Sequence, residues 1–117
     1  MASISKQILS GSTNGKLIQI VGTGTGSADT IHTAVSGTTD FDEVSLYAIN
    51  TSTADVLVTI EFGGTGTANE IKFTIPGQVG QVQIVEKLLL QNSLVVKAYA
   101  ATTAVVNIGG YVNRIAN

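Results

Sequence analysis

The sequence predicts an all-β chain, a single-domain β-sandwich or barrel of about eight strands. Three observations carry that prediction. Apolar residues recur with a period of two, as in Val56, Val58, Ile60 and Phe62 against Leu57, Thr59 and Glu61, and in Ile71, Phe73 and Ile75 against Lys72 and Thr74. That is the alternation of a strand with one buried face. The runs are short and mostly rich in β-branched residues, which fit a pleated surface. Clusters of Gly, Thr, Asn and Ser lie between them at residues 10–15, 22–29, 36–40, 63–69 and 76–80, the composition of tight turns. At 117 residues the chain suits one domain, residues 1–117, with its own core.

Taken in order, residues 1–7 show no strong pattern and are expected as an arm that orders only against a neighbour. Strands are expected at residues 16–22, 30–35, 43–50, 56–62, 71–75, 81–85, 93–100 and 104–114. One segment has a helical rival: Val85, Leu88 and Leu89 could share a helix face, but Gly77, Gly80 and Ser93 confine any helix there to about two turns. Residues 86–92 are read as a loop that buries its leucines. An internal echo bears on architecture, because residues 24–35 (GTGSADTIHTAV) align without a gap with residues 64–75 (GTGTANEIKFTI). Two related hairpins in a chain of about eight strands suit a jelly-roll-like double Greek key. Convergence of Gly/Thr turns is the other explanation, since Gly alone adopts positive φ cheaply.

Six Lys plus Arg against eight Asp plus Glu give a net charge of −2, far from the basic footprint that a nucleic-acid partner requires. Only 12% of residues are charged and 44% are hydrophobic, where roughly 25% charged is usual. Thr, Ser, Gly, Asn and Gln must then cover the surface, which deters self-association less than dense mixed charge does. The chain is expected to bury part of its outside against partners; a weakly charged free monomer is the alternative. There is no cysteine, so disulfides and thiolate metal sites are excluded. No signal peptide or membrane span is evident, the longest apolar runs being a few residues such as 88–90. The whole chain is therefore expected to be the mature protein, with no membrane partner.

No constellation points to catalysis or to a cofactor. Residues 22–26 (GTGTG) invite a phosphate-loop reading, but Ser27 stands where a dinucleotide fingerprint needs its third glycine, and strand rather than helix follows. A hairpin turn is the better reading. His32 is the only histidine, which excludes a multi-histidine zinc site, and any Ser-His-Asp set would have to recruit it. Its parity matches Thr30 and Ala34, so a surface or interfacial position is expected. Asp40, Asp42 and Glu43 lack the D-x-D-x-D-G spacing of a calcium loop, and are read as a solvated turn in which Asp40 or Asp42 caps backbone amides. With no Trp, only Tyr47, Tyr99 and Tyr111 could supply platforms for a sugar, and they are read as pinning strands. Asn50-Thr51-Ser52 is a formal glycosylation sequon, read as a turn. Catalytic, cofactor-binding and metal residues are accordingly expected to number none, and no enzyme activity is expected.

The stretches Ile31-His32-Thr33-Ala34, residues 35–48 (VSGTTDFDEVSLYA), 92–98 (NSLVVKA) and 107–115 (NIGGYVNRI) resemble a family of small virion structural proteins of tailed bacteriophages. The resemblance extends from about Ile8 to Ile115, and its motifs are structural rather than catalytic. It implies an all-β capsid decoration or cement protein, made in the host cytoplasm and located on the capsid surface of the virion. Its partners would be the major capsid protein, whose shell it stabilises from outside, and itself as a homo-oligomer, expected as a trimer. A tail or fibre module that recognises a host-surface glycan is the alternative.

Overall fold

The alternating runs sort into two antiparallel sheets packed face to face. The structure is a computed structural model that describes residues 2–117. Its described residues form nine strands: β1 (Ser3–Ile8), β2 (Ile18–Ile20), β3 (Asp29–Thr33), β4 (Phe41–Asn50), β5 (Val56–Phe62), β6 (Glu70–Ile75), β7 (Gln81–Leu90), β8 (Val95–Ala100) and β9 (Val106–Ala116). One sheet runs β1-β9-β4-β7, with β2 also on β9, and the other runs β3-β8-β5-β6. The molecule is a β-sandwich.

β1 and β2 behave as one interrupted strand, because both pair with β9, at Tyr111 to Ala116 and at Val106 to Ile108 respectively. Counted so, the first strand pairs with the last, β3 with β8, β4 with β7 and β5 with β6, while β4–β9 and β5–β8 complete the sheets. This nested order is a long hairpin rolled up, the double Greek key of a jelly roll. The core is apolar and mostly branched: Val44, Leu46 and Ala48 of β4 and Val106, Ile108 and Val112 of β9 face Val58, Ile60, Val96, Ala98 and Ala100, all buried. Burial of each large side chain stabilises by about 1.5–3 kcal/mol relative to exposure.

Three expectations need correction. Residues 3–7, expected in an arm that orders only against a neighbour, pair along β9 of their own chain together with Ile8; Met1 lies outside the described residues. Backbone pairing to an open sheet edge asks for no side-chain pattern, and none of the β1 residues is fully buried. Residues 86–92 are not a leucine-burying loop: β7 continues to Leu90, with Leu88 and Leu89 exposed and Leu90 buried. Its alternation is broken because Ile84 is extra between Val85↔Leu46 and Gln83↔Tyr47, and Glu86 and Lys87 together face Ser45. These are β-bulges, which displace the period of two and bend the strand. Lys87 adopts φ 56° there. The internal echo is also not two hairpins. β5 and β6 form one, whereas β2 and β3 lie in different sheets, so residues 21–28 are a crossing between layers.

Candidate functional site

The inward face of β4 reads Asp42, Val44, Leu46, Ala48, Asn50, all buried. A polar residue therefore stands at each end of an apolar row, and burial without partners would cost each of them several kcal/mol. Each finds partners on an edge of the opposite sheet. At one end Asp42 Oδ2 lies 2.8 Å from His32 Nε2 on β3 and accepts the Val35 amide at 3.1 Å. Arg114 of β9 closes on the same carboxylate in bidentate fashion, Nε to Oδ1 at 2.8 Å and a terminal nitrogen to Oδ2 at 2.9 Å. At the other end Asn50 Nδ2 donates to the carbonyls of Ala54 at 2.7 Å and Ile75 at 2.9 Å. β4 thus pins both edges of the facing sheet.

The tautomer of His32 follows from its neighbours. Nδ1 accepts the Ser10 backbone N–H at 3.0 Å, so Nε2 carries the proton that it donates to Asp42. Burial is the largest influence on Asp42 and opposes its charge. The hydrogen bonds from Arg114 and His32, with their charges, outweigh it and hold the carboxyl below its ordinary value. Asp42 in turn holds the Arg114 guanidinium above its ordinary value. Ser10, His32 and Asp42 have the residue types of a hydrolase triad but not its geometry. The His32 nitrogen that would take a nucleophile's proton is occupied by an amide, and Ser10 Oγ accepts the Thr33 amide at 2.7 Å. The cluster is a structural junction.

His32 is 1% exposed, which corrects its expected surface or interfacial position. A bulge between Thr30 and His32 inserts Ile31 and turns the histidine to the inside, so the parity with Thr30 fails. Asp42 likewise lies in a buried strand rather than a solvated turn, although it does accept a backbone amide. Asp40 accepts the Asn117 amide at 2.9 Å and Glu43 accepts from Asn113 Nδ2 at 3.1 Å, so the three acids point to different partners. Arg114, which reading the sequence missed, could have been placed by parity with Val112 on β9. At the start of residues 22–26 the amide of Gly22, with that of the preceding Val21, does point at an anion, but it is the Asp29 carboxylate, at 2.9 and 2.8 Å. The sequon asparagine is the buried Asn50, its Oδ1 accepting from the Ser52 amide and hydroxyl at 3.0 and 2.8 Å. Tyr47 and Tyr111 project on the outer side of one sheet and Tyr99 on that of the other, so the three tyrosines form no common platform.

The outer face of the five-stranded sheet is the feature that its own chain leaves unexplained. Cross-strand register aligns Ile4, Ile115 and Phe41 in one row, Lys6, Asn113, Glu43 and Leu89 in the next, then Ile8, Tyr111 and Ser45. Ile4 is 70% exposed, Ile8 54% and Leu89 54%, and Leu17 beside Gly109 is 53% exposed. Among the described residues four charges stand here: Lys6 lies over the Tyr111 ring at 4.6 Å, Glu43 is held by Asn113, and Glu86 and Lys87 sit at the β7 bulge opposite Ser45. Near the Phe41 end this face meets an open cleft of about 400 Å³ lined by Phe41, Leu89, Leu90, Gln91 and Leu94. An outward sheet face that meets only water alternates to polar residues, and this one does so incompletely.

Fold and surface together define a jelly-roll sandwich with internal polar clamps and an apolar outward sheet. Comparisons of the chain with protein-family models, with curated proteins and with solved structures found no match.

Proposed function

We propose that this chain is a structural virion protein of a tailed bacteriophage, a capsid decoration or cement protein that sits on the outer surface of the major capsid shell as a homo-oligomer, expected as a trimer. The observation that carries the reading is the apolar outer face of the five-stranded sheet, where Ile4, Ile8, Leu17 and Leu89 stand exposed among few charges. Exposed apolar side chains gathered on one sheet face mark an interaction site. The resemblance in residues 31–48, 92–98 and 107–115 supports the assignment to a shell. The fold is compatible with it, since jelly rolls build capsid proteins, although lectins and cupins share the architecture. The mechanism would be many weak apolar contacts repeated over the shell, each copy adding a small increment against internal pressure.

The test is to add purified chain to heads that lack it, sediment them and titrate the bound amount. Saturation at a fixed multiple of the shell's symmetry sites, abolished by Ile8→Lys, is the expected result. Absence of binding to heads with free sites would overturn the proposal and favour the tail or fibre reading.

A further inference from the structure

We infer that the cavity beside Glu61 is a binding site for a neutral polyhydroxylated ligand, one sugar ring in size. Glu61 lies on β5 with outward parity, following the inward Val58 and Ile60, and should be in solvent. It is instead 1% exposed. Thr25, from the crossing between layers, lies over it and donates its hydroxyl to Oε2. Among the described residues no hydrogen-bond partner reaches Oε1. A buried carboxylate oxygen left without a donor is unfavourable, so a donor brought to it is favoured.

The space next to it has the right dimensions and chemistry. Glu61 lines a cavity of about 280 Å³ with Thr65, Ser93, Leu94, Val95 and Lys97, near the lower end of small-molecule sites at roughly 300 Å³. That volume suits a single ring, not an oligosaccharide. Lys97 stands directly opposite Glu61 in the β5–β8 register, but no ion pair closer than 4.0 Å joins them. A cationic ligand would meet the Lys97 charge and an anionic one the Glu61 charge. A neutral ligand with adjacent hydroxyls satisfies both, accepting from Lys97 and donating to Glu61 Oε1 after a small side-chain shift uncovers that buried atom, while Leu94 and Val95 take its C–H surface. This inference rests on Glu61 and its neighbours and stands or falls independently of the capsid reading.

The test is a titration of the isotopically labelled full chain with glucose, galactose, mannose and N-acetylglucosamine, followed by amide chemical shifts. With at least one sugar, saturable shifts are expected at Gly63, Gly64, Ser93 and Leu94, with Kd about millimolar and no change at Ile8 or Tyr111. Glu61→Gln, which keeps the shape, should weaken binding roughly tenfold through loss of a charge-assisted hydrogen bond. Lys97→Met, a change on the outward side of a strand, should weaken it severalfold and guards against misfolding of the first variant. No saturable shift with any of the sugars would overturn the assignment. So would shifts undiminished in both variants, or tighter binding of methylammonium than of every sugar.

Discussion

Asp42 gathers three partners from three segments: His32 on β3, the Val35 amide beyond it and Arg114 on β9. Removing the shared acceptor leaves an imidazole N–H, an amide and a guanidinium unmet together. Asp42→Ala should therefore cost about 3–5 kcal/mol in urea unfolding. Adding Arg114→Met removes one of the stranded charges, so the double variant should be more stable than Asp42→Ala alone; a strictly additive result would show that the pair is not coupled. The same carboxylate sets a pH dependence. Its folded-state value lies below the ordinary 3.8, so on acidification the unfolded chain takes up this proton first. The stability it contributes is complete above about pH 4 and is lost as pH falls through the lower folded value. Urea midpoints between about pH 6 and pH 2 should decline at the acid end, and Asp42→Asn should flatten that decline. An unchanged acid limb in the variant would assign the loss to other carboxylates.

At the scale of elements, what the sequence disclosed and what it hid divide along strand regularity. β5 and β6 pair without a bulge and were legible from Val56 to Phe62 and Ile71 to Ile75, although Phe73 stays exposed while Thr59 and Glu61 are buried. β3 and β7 carry bulges, and there the pattern misled: His32 turned inward, and the leucines of residues 88–90 belong to a strand that imitates a helical spacing. β1 was illegible because its hold is backbone pairing along β9, which leaves no mark in side-chain periodicity. The junction was half legible, His32 and Asp42 being recognisable as unusual. Their meeting depended on a bulge and on Arg114, 72 positions away from Asp42. Glu61 was hidden for a different reason, a loop folding over an outward position. Two predictions belong here. Gly110 on β9 has φ 150°, and a Cβ would lie 2.1 Å from the Ser45 carbonyl oxygen. Gly110→Ala should thus force β4 and β9 apart and cost upward of about 2 kcal/mol by denaturant unfolding; a neutral result would mean the strands can relax around it. Deleting residues 1–7 should leave far-UV circular dichroism of a folded β-sandwich while lowering the thermal midpoint, because the core side chains lie in β2 to β9 and in Leu9 and Ala34. Loss of cooperative unfolding would make β1 part of the folding unit.

The whole molecule is an elongated sandwich of 48 × 27 × 21 Å, and its two broad faces differ. One sheet's outer side carries Glu70, Lys72, Thr74, Lys97 and Tyr99 over the buried Thr59 and Glu61, with Leu57 its exposed apolar residue and Tyr99 donating to Glu70 at 3.4 Å. The other presents Ile4, Ile8, Leu17 and Leu89. That asymmetry gives the particle a direction: an apolar side suited to a neighbour and a polar side suited to water. If attachment uses the apolar side, charge should matter little to its strength. Raising sodium chloride from about 0.1 to about 1 M collapses the screening length from about 10 to about 3 Å yet should hardly change the amount of chain bound to heads. Ile8→Lys and Leu89→Lys, each at an exposed outward position, should keep unfolding free energies within roughly 0.5 kcal/mol of the parent while lowering head binding by tenfold or more, on the scale of about 1.4 kcal/mol. A matched change on the polar side, Lys72→Glu, should leave binding intact. Binding that instead vanishes in salt, or that responds to Lys72→Glu and not to Ile8→Lys, would reverse the orientation and put the polar sheet against the shell.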